Sequence, residues 1–299
     1  MLQKKSVLKV MRPYLFLLPA TIFLLGFLFY PVIKVFYYSF QNYYLAKPFL
    51  NGPAGFGNYK KIFLDDPTFA TSIVISIKWI FVTVTAQLLL GFSAALLLNT
   101  KFWGRSFFRI LFFIPWAISG ILTSLLFSLI YNEHMGFLNN VLLDFGLIKT
   151  GIAWSANEKI VFGSVAVAEI WRGFPFFVII ILAALQSVDL SLYDAADVDG
   201  AGRVRRFFHI TLPHVKETIL FSTVLRIIWE FNNVDVIYNI TGGGPANMTT
   251  TLSMYIVRQA SKLGNLGYGS ALAVIAFLIL SIFIILYLKF GDPEEGGYL

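Results

Sequence analysis

The 299-residue chain has no cysteine, so disulfide staples and thiolate chemistry are closed to it. Its three histidines, His134, His209 and His214, include no pair at metal-ligand spacing, which argues against a zinc site built by this chain. No G-x-x-x-x-G-K-[ST] loop occurs, and with it goes the backbone cradle and lysine that hold a nucleoside triphosphate. H-E-x-x-H and G-x-S-x-G are missing too, so the common peptidase and hydrolase signatures are not available. Charge is also scarce. Charged residues make up 13% of the chain, against about a quarter in soluble domains, while 58% is hydrophobic. So little charge cannot cover a water-facing surface of this size, and an integral membrane protein is what remains.

The apolar residues are gathered in six runs, at roughly 13–37, 70–98, 107–131, 160–185, 217–240 and 268–289. A helix needs about 20 apolar residues to cross some 30 Å of hydrocarbon. Helices satisfy their own backbone in lipid, and the lack of strand-like alternation argues against a barrel. The predicted fold class is an all-α membrane protein with about six transmembrane helices. Lys4, Lys5, Lys9 and Arg12 precede the first run as in a signal peptide. That run continues from Pro13 to Phe36 without a small-x-small cleavage site, so it reads as an uncleaved first span.

A net charge of +7 could signal nucleic acid, but in so apolar a chain basic loops that set orientation are the better reading, and no nucleic acid is expected. With both termini in the cytoplasm, the inner set is Lys4, Lys5, Lys9, Arg12, Lys101, Arg105, Arg109, Arg203, Arg205, Arg206, Lys216 and Lys289. The outer set is Lys47, Lys60, Lys61, Lys149, Lys159, Arg258 and Lys262. Twelve against seven favours this orientation, and an even span number agrees with it. Lys34 and Lys78 are expected to snorkel to an interface. The outer stretch Phe137–Phe145 should cap the bundle rather than span it. Thr241–Pro245, TGGGP, cannot continue a helix and should turn the chain sharply.

Polar groups inside spans should face the bundle interior or a wet path. The fourth run carries Glu169 and Arg172 three apart, followed by Pro175, where a kink is expected. The fifth places Asn232, Asp235 and Asn239 at 3,4 spacing beside Phe231. Such amide and carboxylate groups flanked by rings suit an uncharged polyol. For Glu169–Arg172 and Arg226–Glu230 the plainer reading, as ion pairs that join helices, competes with a cargo role.

Between the fourth and fifth runs lies SLYDAADVDGAGRVRRFFHITLP, residues 191–213. Ser191 followed by Asp194 forms a capping pattern that would start a helix at Leu192. Gly200 and Gly202 break it, a basic amphipathic helix should follow from Arg203, and Pro213 would open the fifth span, where a first-turn proline costs no hydrogen bond. On shape alone this could be a helix lying on lipid phosphates. The residues say more. Asp194-Ala195-Ala196, then Asp199-Gly200-Ala201, then Ile210-x-Leu212-Pro213 resemble the EAA signature of binding-protein-dependent ATP-binding cassette importer permeases, with Asp194 where the family usually has Glu. Pro13–Phe40, Phe56–Phe63, Trp171–Phe177 and Phe231–Pro245 are similar to the MalF-like branch of carbohydrate uptake permeases.

The resemblance implies a type I importer (MetI-like) fold. Residues 1–69 would be the tail, first span and outer loop, 70–289 the core permease domain with coupling loop 191–213, and 290–299 a cytoplasmic tail. The chain would be a non-enzymatic transport subunit in a bacterial or archaeal cytoplasmic membrane. It would form the path for a di- or oligosaccharide and bind no cofactor itself. Its partners would be a second homologous permease, two ATPase subunits that use ATP and Mg, an extracytoplasmic sugar-binding protein and membrane lipid. Asp194, Ala195, Ala196, Asp199, Gly200, Ala201, Ile210, Leu212 and Pro213 would dock the ATPase. Gly173, Phe176, Phe231, Asn232 and Asp235 would line the sugar path, where Asp235 would disfavour an anion. A proton- or sodium-driven carrier using Glu169, Glu230 and Asp235 is the main rival, and a membrane enzyme using Glu230 and Asp235 is the second.

Overall fold

The structure, a computed structural model, describes residues 7–290, and side chains from Pro13 onward with Leu288 and Phe290 excepted. Lys4, Lys5 and the tail beyond Phe290 lie outside the described residues. The elements run α1 (Val7–Leu24), α2 (Tyr30–Ser39), β1 (Gln41–Asn42), β2 (Gly52–Pro53), α3 (Gly57–Leu64), α4 (Pro67–Asn99), α5 (Arg105–Ala117) and α6 (Gly120–Ile130). They continue with α7 (Phe137–Asp144), α8 (Val161–Gln186), α9 (Leu190–Val198), α10 (Arg203–Arg206), α11 (Leu212–Asn232), α12 (Asp235–Ile240), α13 (Leu252–Val257) and α14 (Leu266–Phe290). Two compact units result. The first comprises the chain up to Asp66 and Ile256–Ser281, the second Pro67–Tyr255 and the chain from Ile282.

In the first unit, α1 passes through a π turn at Leu25–Phe29 into α2. The π turn ends one residue before Tyr30-Pro31. A proline ring clashes with the carbonyl four residues back and offers it no N–H, and the wider turn relieves both problems. Lys34 lies 5.5–5.8 Å from the rings of Tyr30, Tyr37 and Tyr38, an aromatic collar that fits an interfacial lysine. Beyond α2, β1 and β2 form a short antiparallel hairpin. Buried Asn58 ties α3 to it by donating to Ser39 O and Gln41 O.

In the second unit, α4 packs along α8. The 33 residues of α4 measure about 50 Å at roughly 1.5 Å per residue, well beyond a 30 Å membrane core. Its buried stripe is Ser72, Ser76, Trp79, Thr83, Gln87, Gly91, Ala95 and Leu98, while Val74, Ile77, Phe81, Leu89 and Leu97 are exposed. The small and polar residues therefore face protein together with Trp79, Val84 and Leu98, and most of the other large apolar ones face outward, as a helix in lipid requires. Gly91 permits the close approach, because a Cβ there would lie 2.8 Å from Phe174 O. Two apolar clusters form the core. One holds Val84, Ala95, Leu98, Phe177, Ile181 and Val215, and the other Trp79, Val161, Val165, Ala168, Ile237 and Met254. On α8 the clusters occupy 161–168 and 176–185, and a polar layer, 169–173, falls between them.

Among the described residues, four helical stretches are long and apolar enough to cross a membrane: Pro13–Ser39, Pro67–Asn99, Val161–Gln186 and Leu266–Tyr287. The third expected span is not one straight helix. Its halves, α5 and α6, meet at 99°. Pro115 closes α5, and Ser119 starts α6 anew by accepting a hydrogen bond from Leu122 N. The fifth expected span is α11, whose 21 residues are long enough but carry Lys216, Glu217, Arg226 and Glu230. Arg226 and Glu230 are buried and paired, which reconciles their charge with an interior position. As expected, α7 packs on α6 as a cap, held by buried Asn139, which bonds Asn132 O, Glu133 O, Ile152 and the Trp154 indole. The TGGGP turn also forms, with Gly242 and Gly243 at φ +61° and +92°, where a side chain would be strained.

Candidate functional site

The polar layer of the second unit draws on three helices. Glu169 and Arg172 stand three residues apart on α8, with Arg172 Nε and Nη2 donating to Glu169 Oε2 and Oε1 at 3.1 and 2.9 Å. Arg226 and Glu230 stand four apart on α11, at 2.6 Å. Arg226 Nη2 also reaches Glu169 Oε1 at 3.2 Å, so one guanidinium bridges the two helices. Gln87 of α4 completes the layer. Its amide donates to Glu230 Oε1 at 3.0 Å and to Glu169 O at 3.0 Å, and its carbonyl accepts from Arg226 Nε at 2.7 Å. The Trp79 indole donates to Glu230 Oε2 at 3.2 Å. The layer thus has two guanidinium and two carboxyl groups, and its inner hydrogen-bonding atoms are satisfied, the condition for keeping ions in an apolar interior. Each pair lies within one helix, and it is the Arg226–Glu169 bond between them that joins α8 to α11.

On one side the layer opens into a cleft of about 350 Å³ lined by Trp116, Arg172, Arg226, Trp229, Glu230, Asn232 and Asn233. Of the five residues expected along the path, only Asn232 is in its wall. Gly173 is turned elsewhere, since a Cβ there would run into Arg226 Nη2 and Gln87 Nε2, and its missing side chain makes room for the layer. Phe176 and Phe231 are buried. Phe176 packs on Trp229 at 5.1 Å and beneath the Arg226 guanidinium at 5.9 Å, supporting the wall from behind. The expected common face of Asn232, Asp235 and Asn239 does not form. Asn233 leaves the helix with ψ +124°, and its side chain accepts from Asp235 N at 3.2 Å, an Asx-type turn that sends α12 off separately. Asp235 then lies against Gly120 of α6, where a Cβ would stand 2.7 Å from it. Trp116 and Trp229, which the sequence did not single out, belong to the wall.

The loop between α8 and α11 is built by capping. Its helix starts earlier than expected. Asp189, not Ser191, is the N-cap, accepting from Ser191 N at 2.9 Å, and α9 begins at Leu190. Those bonds hold the exposed Asp189 carboxyl below its ordinary value of 3.8. At the other end, Ala201 N donates to Ala196 O at 2.8 Å and Gly200 N to Asp197 O at 3.1 Å. This is a Schellman cap with Gly200 at its left-handed position, φ +70°. Asp197 pairs with Arg206, folding α9 back on α10. The backbone then stays helical from Arg203 through a second π turn, Phe207–Thr211, into α11. Pro213 is therefore not at the start of a fresh helix. The π turn ends one residue before Leu212-Pro213, with Leu212 N bonded to Phe207 O, as at Pro31.

Asp194, Ala195, Asp199, Gly200 and Pro213 are exposed, and Ala196, Ala201, Ile210 and Leu212 are half-buried. Ala196, Asp199, Ala201 and Ile210 join Arg205, Arg206 and His209 around a hollow of about 470 Å³. Leu190, Val198, Val204 and Phe208 of the same loop are exposed. Apolar and arginine residues left bare on a small, firmly capped loop are what a protein-docking surface requires.

Apolar helices, an internal polar layer with a cleft and an exposed capped loop define a multi-pass membrane permease. The residues 87–293 match the family described as "Binding-protein-dependent transport system inner membrane component", and the chain belongs to that family. It is 38% identical to the sulfoquinovosyl glycerol transport system permease protein SmoG of Agrobacterium fabrum, over 92% of this chain and 88% of SmoG. It is 34% identical to the trehalose/maltose transport system permease protein MalF of Thermococcus litoralis, over 93% of this chain and 92% of that one. A chain of the bacterial alginate ABC transporter, in complex with alginate pentasaccharide-bound periplasmic protein, superposes with a TM-score of 0.81. That match covers 94% of this chain and 96% of the other at 22% identity, and it shows the type I importer permease fold. The expected membership of the MalF-like carbohydrate uptake permeases is borne out.

Proposed function

We propose that this chain forms the translocation path for a saccharide in an ATP-driven importer. An extracytoplasmic binding protein delivers the cargo, and two ATPase subunits using ATP and Mg supply the energy through the loop Asp194–Pro213. The chain itself hydrolyses nothing, a second homologous permease faces it, and both termini lie in the cytoplasm. Relatives named for sulfoquinovosyl glycerol, trehalose/maltose and arabinooligosaccharide transport support a saccharide cargo. One observation carries the coupling. A single helical run, Arg203–Asn232, bears the exposed loop residues at its start and Trp229, Glu230 and Asn232 of the cleft at its end. At about 1.5 Å per residue the rod is some 45 Å long, so a push on the loop is felt at the cleft.

The domain division expected at residues 69 and 290 belongs to the same proposal, with 70–289 as the transporting core. Reconstitution into vesicles with a second permease, ATPase subunits and a saccharide-binding protein tests the reading. Labelled saccharide should accumulate only with ATP inside the cytoplasmic compartment. Accumulation driven by a proton or sodium gradient without the ATPase would overturn it and favour the carrier reading.

A further inference from the structure

We propose, resting on the saccharide reading above, that the cleft selects cargo bearing an acidic substituent, a carboxylate or sulfonate, and that Arg172 is the residue that reads it. Arg172, Arg226 and Glu230 of the polar layer all reach the cleft wall, and Arg172 is the most open of its charged groups. The Arg172 side chain is 21% exposed against 0% for Glu169, and Arg226 is 6% exposed against 1% for Glu230. Glu169 is not part of the cleft wall, and both oxygens of Glu230 are occupied, by Arg226, Gln87 and Trp79.

Arg172 spends Nε and Nη2 on Glu169, which leaves Nη1 as a guanidinium edge with no hydrogen-bond acceptor among the described residues. The pairing locks the side chain and aims that edge, so little ordering remains to be done when an acceptor arrives. Trp116 and Trp229 stand in the same wall as apolar faces for a sugar ring, and Asn232 and Asn233 offer amides to hydroxyls. Asp235, the carboxylate expected to repel an anion, is outside the wall and packs on Gly120. A guanidinium edge in a site partly screened from water binds an anionic oxygen more strongly than a hydroxyl.

The test uses the full importer complex in lipid nanodiscs, with tryptophan fluorescence as the readout. Methyl α-glucuronide and methyl α-glucoside serve as probes, identical except for a carboxylate in place of the hydroxymethyl group. The glucuronide should half-saturate at about tenfold lower concentration, the advantage of one charge-assisted hydrogen bond over a neutral one. Arg172→Gln should bring the two probes level, Arg172→Lys should keep the preference in part, and replacing both Trp116 and Trp229 by Phe should remove most of the signal. Equal half-saturation of both probes in the unaltered complex would overturn the acidic reading and leave the saccharide path standing. No response to either probe would overturn both. Should Arg172→Gln fail to assemble, the unaltered complex and the Trp116→Phe, Trp229→Phe double variant still decide, because a preference sensed after loss of both cleft tryptophans lies elsewhere and sinks the assignment.

Discussion

Arg226 of α11 lies 3.2 Å from Glu169 of α8, and this contact joins two helices through the centre of the polar layer. Because Arg226 also serves Glu230 and Gln87, its loss leaves several buried groups without partners at once.

Arg226→Met should therefore lower the thermal stability of the detergent-solubilised chain severely. Leaving a buried charge uncompensated costs about 3–5 kcal/mol. Adding Glu230→Gln to it should recover part of the loss, since one of the stranded carboxyls is then neutral. A melting temperature unchanged in Arg226→Met would show that the layer carries no structural weight.

Gly173→Ala should act on the same layer from inside. The new methyl meets Arg226 Nη2 and Gln87 Nε2, neither of which can withdraw without breaking its bonds. Overpacking of this kind costs about 1–3 kcal/mol, read as a lower melting temperature together with reduced uptake. A variant that loses uptake with full stability would instead make Gly173 a cargo contact.

Gly200 separates conformation from docking. Nothing lies within 4 Å of a Cβ added there, so this chain has room for any side chain, and only the left-handed φ of +70° is demanding. Asn tolerates that conformation, so Gly200→Asn should keep the loop folded. Gly200→Trp projects bulk outward and should abolish ATPase co-purification and uptake while the chain stays inserted. Normal co-purification of Gly200→Trp would remove this loop as the docking surface.

Asn232→Ala and Asp235→Ala should differ. The first removes an amide from the cleft wall and should change uptake or cargo preference without loss of stability. The second removes a group packed between α12 and α6, so its effect should appear in the melting temperature. Uptake measured beside thermal unfolding distinguishes the two, and identical profiles would contradict the separation of α11 from α12.

The Asp189 cap predicts a pH response at the start of α9. Its carboxyl is held below 3.8 in the folded chain, so the stabilisation is fully present above 3.8 and is lost as pH falls through the lowered value. Amide exchange at Ser191 and Leu192, corrected for intrinsic rates, should lose protection only in that acid window. Asp189→Asn should flatten the response.

The membrane class, the family and the position of the glycine-broken loop between α8 and α11 were legible in the sequence because each rests on local chemistry. Apolar length, missing nucleotide loops and the Asp199-Gly200-Ala201 cap need only neighbours along the chain. The inward stripe of α4 was legible in principle too, from the spacing of Ser72, Ser76, Trp79, Thr83, Gln87 and Gly91, small or polar residues at helical intervals in an apolar run. The break after Asn232 and the bend after Pro115 were harder. Both sit inside runs whose hydropathy is continuous, and hydropathy does not sense a two-residue departure from helix.

By itself, then, the sequence determined what this protein is made to live in and which family it belongs to, through composition, helix length and the residues of one loop. Only the tertiary structure decided what each polar residue of the interior is for. Glu169, Arg172, Arg226 and Glu230 become a bonded layer, Gly173 the space it needs, and Arg172 its open edge, because α4, α8 and α11 bring together residues 87, 169 and 226 that are far apart along the chain. Such a grouping depends on which face each helix turns toward its neighbours, and that is settled by packing across the whole bundle rather than by any stretch of sequence alone.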